Sequence, residues 1–154
     1  MKTAVELVQS LLSDPTNLTH VRGLTTEDVT YVSLNFSNPE LNKILPWAGT
    51  NKGPQSIVDA FDAMGKVWET KAFQIKDVFL NESSVAMFGS FTYVARALGN
   101  EITSPFALLA KASKDKINYV QFMEDSFATA STIRSAGKCH FCGTAANEEV
   151  SAGS

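Results

Sequence analysis

Apolar residues recur along this chain first with a helical period and then with a strand period. Val5, Val8, Leu11 and Leu12 share one side of a helix predicted over residues 3–13, which Asp14-Pro15 ends because proline disfavours a helical residue before it. Residues 16–28 are polar and read as a connection holding one short helical turn. Residues 29–36 alternate as a strand with apolar character on both sides, Ser37-Asn38-Pro39 closes it, and residues 39–44 suit a helical turn. Trp47, Ala48 and Gly49 then read as a short strand or bulged entry. Gly53-Pro54 suits a helix start, with glycine as cap and proline as first helical residue. Ile57, Phe61, Met64 and Trp68, with Val58 beside Ile57, form one apolar stripe on a helix ending near residue 70.

Strand patterns fill most of the chain beyond that helix, over residues 71–80, 84–98, 101–113 and 116 to about 128. Their short turns, Asn81-Glu82-Ser83, Gly99-Asn100 and Lys114-Asp115, require antiparallel pairing. In the second of these strands Val85, Met87, Phe91 and Tyr93 share one face while Ala86, Phe88 and Val94 share the other. Both faces are apolar, so helices are expected against one and a second copy of the chain against the other. Residues 135–154 lack periodicity and read as a flexible polar tail after a domain over residues 1–134.

Composition narrows the function classes. The net charge is −3 and no basic cluster is present, which argues against nucleic acid and against an anionic membrane surface. Glu6, Gln9 and Ser10 interrupt what would be the apolar stretch of a secretion signal, and no apolar run approaches a membrane span, so a cytoplasmic location is expected. GTNKGP lacks the lysine-serine or lysine-threonine ending of a phosphate loop. Neither a Gly-x-Ser-x-Gly elbow nor a His-Glu-x-x-His helix occurs, and no cofactor is expected.

Pro46-Trp47-Ala48-Gly49-Thr50 with Gly53 before the helix, and the closing strand with Gln121-Phe122-Met123-Glu124-Asp125, carry a family resemblance. Together with the element order, they resemble the SnoaL-like polyketide cyclases, relatives of ketosteroid isomerase in the nuclear transport factor two superfamily. The resemblance implies an α+β, cone-shaped, cystatin-like barrel: a strongly bent, mainly antiparallel mixed sheet wrapped around N-terminal helices and enclosing an apolar pocket. It also implies ligand contacts from Tyr31, Trp47, Phe61, Phe91, Tyr93, Tyr119, Gln121 and Met123, and an acid–base role for an aspartate near the end of the last strand, a place that Asp125 holds.

Strand alternation constrains that role independently. Tyr119, Gln121, Met123 and Asp125 share one face, and Val120, Phe122 and Glu124 the other, so only one of the two adjacent acids turns toward a pocket. An apolar lining would raise its pKa and suit it to removing a proton next to a carbonyl. Tyr93 and Tyr119 are candidate donors to a carbonyl oxygen. Neither histidine lies within a strand: His20 sits in the polar connection, and Arg96 at a strand end reads as solvated. Cys139, His140 and Cys142 form half of a zinc site or the outline of a redox pair, with a metal clip between two tails as the minor reading.

These readings lead to a cytoplasmic homodimer that binds a small, largely apolar molecule. As an enzyme it would be a lyase, isomerase or cyclase using Asp125. The alternative is a non-catalytic carrier, sensor or dimerisation module.

Overall fold

The computed structural model describes residues 2–153. Helix α1 (Ala4–Ser13) opens with a capping box: the Glu6 amide donates to the Thr3 hydroxyl at 3.2 Å, and the Thr3 amide to the Glu6 carboxylate at 2.8 Å. Its stripe of Leu7, Val8 and Leu11 is buried. The polar connection is more ordered than its composition suggests. Asn17 caps α2 (Leu18–Leu24), which buries Val21 and Leu24, and strand β1 (Thr25–Ser33) begins at once.

Asn38 caps α3 (Pro39–Ile44). Trp47 lies before β2 (Gly49–Lys52) rather than within it, on a turn where the Ala48 amide donates to the Leu45 carbonyl at 2.9 Å. Gly53 has φ of +86°, a conformation that favours glycine, and α4 (Pro54–Val67) follows. The helix stops at Val67 because Trp68 is already extended.

Strands β3 (Trp68–Leu80), β4 (Ser84–Ala95), β5 (Glu101–Ser113) and β6 (Lys116–Glu124) form the antiparallel run, and α5 (Ser126–Ser131) follows directly. The six strands are ordered β2-β1-β6-β5-β4-β3, and every pairing is antiparallel except β1 with β6. Helices α1, α2 and α4 fill the inner face of this curled, mixed sheet, so the α+β architecture is the expected one.

The expected tail, residues 135–154, carries a small hairpin in its described part, β7 (Cys139–Phe141) with β8 (Val150–Ala152). The Arg134 guanidinium donates to the Gly153 carbonyl at its far end. Among the described residues no helix is long and apolar enough to cross a membrane.

The outer face is apolar where three strands run side by side. Phe88, Ala107 and Met123 are in register, and Phe79 packs edge-on against Phe88 with ring centroids 6.2 Å apart. Phe79 is 63% exposed, Phe88 46% and Met123 37%.

Curvature comes from β3, whose register against β4 slips between Thr70 and Ala72 and again between Ile75 and Asp77. Beside the second slip a Cβ on Gly89 would stand 1.9 Å from the Gln74 carbonyl oxygen and 2.8 Å from the Phe106 ring. Gly89→Ala is therefore expected to cost about 2–3 kcal/mol, since backbone has to give way. A lowered urea midpoint with unchanged slope would register it.

Candidate functional site

The curl leaves a pocket of about 350 Å³ between the ends of α1 and α4 and the inner face of the sheet. Leu12 and Pro15 border it from the first helix and its exit, Phe61, Met64 and Gly65 from α4, and Trp68, Thr70 and Phe73 from β3. Tyr31, Tyr93 and Phe122 complete it from β1, β4 and β6. Tyr31 stacks on Phe61 (6.5 Å, 16°) and Trp68 on Tyr93 (5.2 Å, 17°). Trp68 is fixed from outside by its indole N–H, which donates to the Thr132 hydroxyl at 2.8 Å, just beyond α5.

Three of the expected ligand contacts, Tyr31, Phe61 and Tyr93, line this pocket. Trp47 and Phe91 stand behind it. Trp47 packs edge-on against Trp68 at 5.5 Å, and Phe91 is buried against Tyr93, Phe106 and Phe122. Tyr119, Gln121 and Met123 lie on the outer face instead. There the Tyr119 hydroxyl donates to the Gln121 side-chain oxygen at 2.8 Å, and the Lys111 ammonium sits over the Tyr119 ring. The physical reason is apolar demand: Val120 and Phe122 take the inner face of β6, which turns the odd-numbered residues outward.

The same alternation separates the two acids. Asp125 is exposed and structural, since its carboxylate accepts from the Ala128 amide at 3.0 Å as N-cap of α5 while its own amide donates to the Ser104 hydroxyl at 3.0 Å. Glu124 is the acid that turns inward. It lies one step along the inner face from Phe122 and opposite Phe106, and its Oε2 is buried without a hydrogen-bond partner. Desolvation by burial pushes its carboxyl up to about 7; the Thr129 side chain opposes that shift, and the charge of Asp125 adds to it.

Glu124 also acts on the pocket wall. Burial raises Tyr31 to about 12 and raises Tyr93 strongly, and the negative charge of Glu124 contributes to both. Both phenols therefore remain protonated donors beside a carboxyl poised between acid and base at neutral pH.

The remaining candidates lie elsewhere. His20 Nε2 is 2.7 Å from the Ser10 carbonyl oxygen, and the Arg96 Nε–H donates to the Gly65 carbonyl at 2.9 Å from an exposed position. Cys139 and Cys142 are exposed free thiols, and His140 Nδ1 is 2.8 Å from the Ser151 hydroxyl. Among the described residues no three His, Cys, Asp or Glu side chains gather closely enough to hold a metal ion. Strand geometry accounts for this in the Cys-His-Phe-Cys run, because successive side chains of β7 point to opposite sides.

The raised carboxyl has a stability consequence whose sign is fixed. Below the unfolded value of 4.5 both states are protonated and nothing is lost. As pH rises toward 7 the unfolded chain releases the proton and the folded chain keeps it, so stability falls. The full loss, reached above pH 7, is on the order of 3 kcal/mol. Chemical denaturation from pH 4 to 8 should show that decline in the native chain and a flatter profile in Glu124→Gln.

No family model matches the chain. It is 45% identical over 125 residues to patulin synthesis protein F of Aspergillus clavatus, covering 79% of this chain and 63% of that protein. To the patulin biosynthesis cluster protein F of Penicillium expansum it is 42% identical over 118 residues, covering 75% and 59%. The chain thus spans about three fifths of the length of the curated relatives it matches. Among solved structures, an NTF2-like protein of Burkholderia thailandensis superposes with a TM-score of 0.71 at 16% identity, over 87% of this chain and 99% of that one. Structures described as SnoaL-like polyketide cyclases and as ketosteroid isomerase-like also match. The chain has the NTF2-like fold that these proteins share.

Proposed function

We propose that this chain binds a small, largely apolar molecule in its aromatic pocket and rearranges it by proton transfer, as a lyase, isomerase or cyclase. The observation that carries this reading is Glu124, a buried carboxyl raised to about 7 beside the protonated phenols of Tyr31 and Tyr93. A carboxyl near neutrality both removes and returns a proton, and a phenol donates to the oxygen on which charge develops. Glu124 takes the role expected of Asp125, whose exposed position at the helix cap leaves it outside the pocket. The names of the relatives, patulin synthesis and patulin biosynthesis cluster proteins, support a secondary-metabolite substrate.

A carrier or sensor is the second reading. The mainly apolar lining of the pocket favours it, since greasy walls hold a ligand without transforming it.

With this function we also infer a homodimer formed through the outer face around Phe79, Phe88 and Met123, supported by exposed apolar surface on adjacent strands. Residues 1–134 are taken as the ligand-binding domain, supported by a pocket lined only from that range. A cytoplasmic setting suits the two free, exposed thiols.

Incubating the chain with small-molecule extract of a Penicillium expansum culture, followed by mass spectrometry, separates the two readings. Conversion of a metabolite that slows about 100-fold or more in Glu124→Gln supports proton transfer. Retention of a metabolite without conversion supports the carrier. Sedimentation of the native chain and of Phe88→Asp tests the dimer, with the native chain expected at twice the monomer mass and the variant at the monomer mass.

A further inference from the structure

The pocket has an unbalanced electrostatic design. None of the described residues lining it is charged, and the ion pairs among the described residues, Arg22–Glu27, Lys43–Glu40, Lys66–Asp62 and Lys71–Glu101, involve largely exposed side chains. The titratable groups facing Glu124 are Tyr31 from β1, Tyr93 from β4 and its neighbour Asp125, while α5 contributes the uncharged Thr129. No cation is present among them. We propose that Glu124 acts as a charge filter, so that the pocket admits an uncharged one- or two-ring molecule bearing a carbonyl or hydroxyl oxygen and rejects carboxylates and other anions.

Each class of ligand meets these walls differently. An anion would place a second negative charge near a buried carboxyl with no cation to offset either, in surroundings where water screens poorly. An organic ammonium would need ring faces turned inward. Tyr31 and Phe61, and Trp68 and Tyr93, each spend a face on the other, while ring edges repel a cation. A neutral molecule meets neither obstacle, and its oxygen accepts from the phenols. The 350 Å³ volume lies at the small end for ligand pockets, which sets the one- or two-ring limit.

The charge filter rests on the proposed use of the pocket but not on turnover. Benzyl alcohol, benzoate and benzyltrimethylammonium share one ring and differ in charge, and their binding is read by shifts of the two tryptophan indole N–H signals in NMR titrations at pH 5.5 and pH 8. The alcohol is expected to bind at least about ten-fold more tightly than benzoate at pH 8, corresponding to about 1.4 kcal/mol. That gap should shrink at pH 5.5 in the native chain, where Glu124 is protonated and benzoate is still ionised, and should shrink at pH 8 in Glu124→Gln. The pH comparison needs no variant to fold.

Benzoate binding as tightly as the alcohol overturns the proposal. So does a gap that neither pH nor substitution moves, tighter binding of the ammonium, or no shift by the alcohol at the limit of its solubility. Should proton transfer fail while this order of affinities holds, only the catalytic reading falls; should turnover persist with the order reversed, only the charge filter does.

Discussion

The bend of the sheet is the constraint on which the other features depend. A flat six-stranded sheet would press its inner side chains against α1 and α4 and leave a solid interior. Here β3 twice loses register against β4, and Gly89 lets the Gln74 backbone approach where any side chain would block it. The bend brings Phe106 into stacking with Phe73 on one side and Phe122 on the other, at 4.8 and 5.2 Å. That aromatic layer forms the floor on which the pocket opens, and its apolar character is what desolvates Glu124.

The chemistry of the site depends on one polar group placed at the edge of that layer. Burying a carboxyl with an unpartnered oxygen costs stability, and the chain offers it no positive charge. Such a cost has a use where a group must exchange protons near neutrality. The short helix α5 secures the arrangement from outside. Thr129 opposes the rise of the acid, and Thr132 fixes the indole of Trp68, so two hydroxyls one helical turn apart hold the acid and one wall.

The architecture is legible in the sequence because its signals are redundant. The stripe of Ile57 and Phe61, the Gly53-Pro54 start and the turn residues between strands each point the same way, and β5 occupies the residues its alternation marks. Short elements are harder. Helix α2 buries only Val21 and Leu24, too few to stand out from polar neighbours, and the β7–β8 hairpin has three residues per strand. Within the site, alternation separates the two faces of β6 correctly, whereas the choice of Asp125 comes only from family resemblance. The alternation itself holds the answer: Val120 and Phe122 are the apolar pair, so the acid sharing their face is Glu124. The same test sets aside Tyr119, Gln121 and Met123.

The one parallel pairing in the sheet, β1 with β6, bears on how the molecule is made. On the ribosome, the ribbon of β1 and β2 leaves the exit tunnel well before its inner neighbour has been translated, and must wait with an unsatisfied edge. The β3–β5 meander can zip up locally in the meantime, so closure comes late and over a long loop. Synthesis therefore delivers the buried acid with the last strand of the sheet, and a nascent chain stalled before that point exposes the aromatic floor to chaperones rather than to a ligand.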